Sequence, residues 1–153
     1  MKKSLVFIVL CNFFVIPACF GQANPVYDSV FAKKTGADEY GMKQYVLAFL
    51  KKGTVTISDP EKSKSLLQGH LQNIVRLANT GKLALAGPMM DDTGIEGIFI
   101  LNVKTVAEAE ALSQTDPAVK AGLFTMEFHP WYGSAALMEI NALHKKLEKK
   151  TIF

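Results

Sequence analysis

Cysteine is scarce in this chain. Its 153 residues include two, Cys11 and Cys19, both within the first 23 positions. Those positions carry an export pattern: Lys2 and Lys3, then the apolar run LVFIVLCNFFVIPACF, then Gly21 and Ala23 just before a cut after Ala23. Cleavage there leaves 130 residues and no cysteine. No disulfide is then available, although an oxidising compartment would permit one. The expected location is exported, periplasmic or secreted. A second reading stays open: IPAC resembles a bacterial lipobox, which would place lipidated Cys19 at the new N-terminus. The apolar run is short and broken by Pro17, so no transmembrane span is expected in the mature chain.

Charge excess is missing too. Without Lys2 and Lys3 the 17 basic residues become 15 against 14 acidic, a net +1. No basic patch with interleaved aromatics is present, which argues against nucleic acid. Lysines gather in HKKLEKK near the C-terminus, where they suit the negative end of a helix dipole. There is no HExxH and no Cys/His cluster, and His70, His129 and His144 share no ligand spacing, so no metal is expected. A Gly-rich phosphate loop and a GxSxG elbow are also lacking. No cofactor is expected.

What remains suffices for one domain with a real core. Residues 24–42 form a polar lead-in, with a short helix over 26–35 stopped by Gly36. KQYVLAFL (43–50) is a strand with two apolar faces, so both should be covered. Asp59 caps a helix with Pro60 at its first position. Leu67, Leu71, Ile74, Val75 and Ala78 define its apolar arc, and His70 falls within that arc. Gly81 stops the helix. KLALAG (82–87) and GIFILNV (97–103) form a hairpin around PMMDDTG. Thr105 and Glu108 make a capping box for a second helix, which Asp116 and Pro117 break. AVKAG is a short turn, and LFTMEFH (123–129) is the last strand. A final helix begins after a Ser134 cap.

The core order is strand, helix, strand, strand, helix, strand. This predicts an α+β fold of the ferredoxin-like, split βαβ kind (βαββαβ), with an antiparallel sheet, two helices on one face and an added C-terminal helix. The other sheet face is apolar as well. A second copy related by a two-fold axis would cover it, so a homodimer is expected unless the C-terminal helix takes that place. The segments divide into 1–23 as signal, 24–42 as lead-in, 43–133 as the core domain and 134–153 as a helical extension.

His70 is the first candidate for chemistry. It reads either as a general acid or base at the helix–sheet boundary or as a core-edge histidine bonded to a backbone carbonyl. Asp116 reads either as the cap of the turn after it or as the carboxylate that orients His70. The two helices are antiparallel neighbours in this topology, which allows the pair to meet. Asp91 and Asp92 lie in the hairpin loop, where a cation, a substrate amine or simply water would suit them. Trp131 and Tyr132 suit a pocket mouth, or core or interface packing, equally well.

GHLQNIVRLANTGKL, then LAGP, then ALSQTDPAVKAG, then a strand ending in PW, together resemble the YCII-related (YciI-like) family. The likeness covers roughly residues 40–133. It extends into GADEYGMKQYVLAFLKKG and PWYGSAAL, which resemble an exported bacterial subgroup. The resemblance implies a dimeric α–β barrel arrangement and a histidine–aspartate dyad, which falls on His70 and Asp116. It also implies relatives that act on small aromatic or lactone-like compounds, dehalogenation included. The expectation is a small-molecule enzyme doing elimination, isomerisation or hydrolysis. His70 and Asp116 would be catalytic, with Pro88, Asp91 and Trp131 at the pocket rim. The alternative is a non-catalytic dimeric module that binds a ligand or another protein.

Overall fold

Proline and aspartate start the long helix as the sequence suggests. In the computed structural model, which describes residues 24–150, Asp59 accepts from the N–H groups of Glu61 and Lys62, and α2 runs from Pro60 to Asn79. A shorter helix, α1 (Ser29–Thr35), precedes it, capped by Asp28 and ended by Gly36 at φ 75°. The expected signal, residues 1–23, lies outside the described residues.

The sheet has four strands: β1 (Met42–Lys52), β2 (Leu83–Pro88), β3 (Ile95–Leu101) and β4 (Phe124–Ser134). Their order is β2-β3-β1-β4, with every neighbouring pair antiparallel. With α2 between β1 and β2, and α3 (Val106–Ser113) between β3 and β4, this is the ferredoxin-like βαββαβ fold. The capping box at Thr105 and Glu108 starts α3.

One sheet face packs under the helices. Val46, Ala48, Leu50, Phe99 and Leu101 meet Leu77 and Ala109 there, flanked by Phe124, Met126 and Phe128. The other face carries Tyr45, Ala84 and Ile100. Leu137 and Met138 of the C-terminal segment pack on these three, so the chain itself covers one part of this face. Phe49 and His129 make an edge-on contact further along it, beside Glu127 and Lys51.

Several expected boundaries differ, three of them in the C-terminal half of the fold. The last strand continues past 129 to Ser134. Pro130 fits within it because β4 is an edge strand with a neighbour on one side only. The turn after Asp116 closes into a single helical turn, α4 (Pro117–Lys120). The C-terminal helix begins as a 3₁₀ turn, Ala135–Glu139, which lays Leu137 and Met138 on the sheet before α5 (Ile140–Leu147) starts. Among the described residues, no helix is long and apolar enough to cross a membrane.

Candidate functional site

The deepest line along α2 is not its most apolar one. His70, Asn73 and Leu77 are buried, whereas Leu67 and Leu71 stay partly open to solvent. Positions 70, 73 and 77 follow helical spacing and face the fold interior. Two polar side chains on that line need partners there, because unpaired buried polar groups are costly. The partner is Asp116.

Asp116 caps α4, and its side chain is 1% exposed. Oδ1 accepts from the backbone N–H groups of Ala118 (2.9 Å) and Val119 (3.3 Å). Oδ2 lies 2.7 Å from Nδ1 of His70 and accepts from Nδ2 of Asn73 at 3.4 Å. Both oxygens are thus engaged on different sides. Burial would raise this carboxyl group. The hydrogen bond with His70, the charge of that ring and the two backbone donors outweigh burial and hold the carboxyl below its ordinary 3.8.

Close packing brings the pair together. A methyl at Gly69 would lie 2.6 Å from Cγ of Pro117, so only glycine lets α4 come this near to α2. The next residue on each element, His70 on one and Asp116 on the other, then meet. Around them, Nη2 of Arg76 donates to Asn73 at 2.7 Å and to Thr115 at 2.6 Å, and Thr115 donates to Asn73 at 3.0 Å. The sequence reading missed Asn73, Arg76 and Thr115. The signal for Asn73 was its place three positions after His70, on the same helix face.

With Nδ1 turned to the carboxylate, Nε2 is the ring nitrogen left for another partner. No protein group bonds it, and no fully buried polar side-chain atom is left without a partner among the described residues. His70 lines a cleft of about 650 Å³ between α2, the β2–β3 hairpin and α5. Its ring lies 5.2 Å from that of Phe124 and 6.1 Å from that of Phe99, centre to centre, and both rings also line the cleft.

Pro88 lies on the wall of this cleft. Asp91 and Trp131 do not, which corrects the expected rim. Asp91 accepts from Thr93 within the hairpin turn. Trp131 lies on the opposite sheet face, its ring 5.8 Å from that of Tyr45. Strand parity is the reason: Phe124, Met126 and Phe128 point to the helices, so 129 and 131 point away. His144 lines the cleft from α5. Among the described residues, no group of three or more His, Cys, Asp or Glu side chains is placed to hold a metal ion.

The model of the YCII-related domain matches residues 42–131, well over half of the chain. This chain belongs to the YCII-related domain family. The match begins at β1 and ends within β4, so the βαββαβ unit is the family domain. The C-terminal segment after it, α5 included, lies outside the matched span. Among solved structures, 5-chloro-2-hydroxyhydroquinone dehydrochlorinase of Burkholderia phenoliruptrix, in complex with 2,5-dihydroxybenzoquinone, is similar. Its TM-score is 0.40 at 21% identity, covering 56% of this chain and 92% of that one. No curated protein matches.

Proposed function

We propose that this protein is a small-molecule enzyme in which His70 moves a proton and Asp116 positions it. One observation carries the reading. A buried carboxylate holds Nδ1 of His70 at 2.7 Å, while the same ring forms part of the wall of a cleft large enough for a ligand. A proton taken from a bound molecule would go to Nε2. The resulting imidazolium would be stabilised by Asp116, which stays ionised, and the proton would return to a leaving group or to the product. Elimination, isomerisation and hydrolysis all fit this exchange. The apolar walls at Leu50, Phe99 and Phe124 favour a molecule with an apolar body.

The test is a turnover screen of small aromatic acids and lactones, with products followed by mass spectrometry. For a substrate that turns over, His70→Gln should lower kcat by about 100- to 10,000-fold, the usual span for a lost general acid or base. Turnover unchanged in a folded His70→Gln protein contradicts the proposal. Saturable binding with no turnover by any member would favour the binding module instead.

The homodimer is part of the same reading. Leu137 and Met138 cover the end of the second sheet face around Tyr45, while Glu127 and His129 on that face stay exposed. A second copy would cover that exposed part of the face, and sedimentation equilibrium tests the dimer. Export rests on residues 1–23, and fractionation of expressing cells tests it.

A further inference from the structure

The cleft is long, and its two ends differ in the side chains that line them. α2 contributes two parallel rows to it, His70–Ile74–Ala78 and Leu71–Val75–Asn79. From His70 to Asn79 is about 14 Å along the helix axis at 1.5 Å per residue. The four side chains between the polar ends are apolar.

The chain turns sharply after Asn79, and β2 runs back alongside α2. Leu83 therefore lies by the Asn79 end, and Pro88, with Glu96 beside it across the hairpin, lies by the His70 end. Both Leu83 and Glu96 line the cleft. The Asn79 end carries Lys145 of α5, whose Nζ donates to Oδ1 of Asn79 at 3.4 Å. Lys145 forms no ion pair among the described residues, whereas the carboxylate of Glu148 faces His144 at 3.9 Å. One end of the groove thus presents the Lys145 ammonium and the Asn79 amide, with Glu148, also on the groove wall, turned to His144. His70 and Glu96 lie along the other. Asn141 fixes this wall in place by donating to the carbonyl of Leu83 on the free edge of β2, at 2.8 Å.

We propose that this groove takes an elongated amphipathic carboxylic acid, its carboxylate at Lys145 and Asn79 and its apolar body running past Ile74 and Val75 towards His70. The inference rests on the cleft being the ligand site, as argued above. Charge sets the direction: an anionic head is attracted by the Lys145 ammonium, which makes no ion pair among the described residues. The cation comes from α5, outside the family domain, so the C-terminal segment sets ligand class while the domain supplies His70.

Decanoate below its micelle concentration is the probe, with decanamide as its uncharged counterpart and backbone NMR of residues 24–150 as the readout. Decanoate should shift signals of Ile74, Val75 and Asn79 together at a single site. Lys145→Gln should weaken decanoate about fivefold, the range of an exposed ion pair, and leave decanamide unchanged. Lys149→Gln, outside the groove, should change neither. Equal decanoate affinity in Lys145→Gln, or equal weakening by Lys149→Gln, overturns the acid assignment while leaving the cleft as the ligand site. If neither probe shifts the groove signals, the cleft reading falls together with the assignment.

Discussion

His70 and Asp116 are 46 positions apart in the chain and 2.7 Å apart in the fold. The contact joins two roles in one carboxylate. Oδ1 caps the helical turn after Asp116, and Oδ2 meets the imidazole. The cap fixes the carboxylate, so the carboxylate can fix the ring.

Acid stability should depend on this carboxyl group. Its folded value is lowered, so the unfolded chain binds its proton more readily. The stabilisation is fully present above 3.8 and is lost as pH falls through the lower folded value. Urea unfolding across a pH series should show stability dropping in that acid range. Asp116→Asn should flatten the drop, and an unchanged pH slope in that variant would count against the pairing.

Gly69→Ala should destabilise the protein although alanine favours helices. The propensity gain is about 1 kcal/mol. The new methyl meets Pro117 and forces α4 away, at a cost of about 1–3 kcal/mol plus a loosened His70–Asp116 contact. Thermal unfolding checks the sign. A variant more stable than the parent would show that α4 can give way freely.

Asn73→Ala removes a donor to Asp116 and an acceptor for Arg76 and Thr115. A loss of about 1–3 kcal/mol is expected for partners left unpaired. Chemical denaturation should also show that Asn73→Ala and Arg76→Ala do not add, because they break one network.

Much of this frame is legible before any coordinates. Asp59 with Pro60, and Thr105 with Glu108, mark helix starts by the bonds their side chains make. The order of strands and helices then gives the sheet. The line of deepest burial is harder to read. Apolar periodicity points to Leu67, Leu71, Ile74, Val75 and Ala78, and all but Leu67 of these line the cleft. The buried line beside them contains His70 and Asn73, which reads as polar until Asp116 is in place. Trp131 is a matter of parity, since one step along β4 moves a side chain to the other face. The arrival of α5 over the edge of β2 is a long-range event. No local pattern in NALHKKLEKK announces that Asn141 meets Leu83 or that Lys145 meets Asn79.

Asn141 should be what holds α5 against the sheet. Asn141→Ala loses one hydrogen bond, worth about 1 kcal/mol. Hydrogen exchange over residues 140–147 should quicken, while exchange in β1 stays slow. Equal protection of α5 in the variant would show that other contacts hold it.

The most direct test of the paired ring is its tautomer. Nitrogen-15 NMR of the His70 ring, at a pH where it is neutral, reads which nitrogen carries the proton. The prediction is a proton on Nδ1 and a bare Nε2. In Asp116→Asn the cap to Ala118 holds the amide oxygen on the α4 side, so the amide NH₂ faces the ring and the proton should move to Nε2. A wild-type ring with its proton on Nε2, or one unchanged by Asp116→Asn, contradicts the claim that Asp116 sets His70 up as a base.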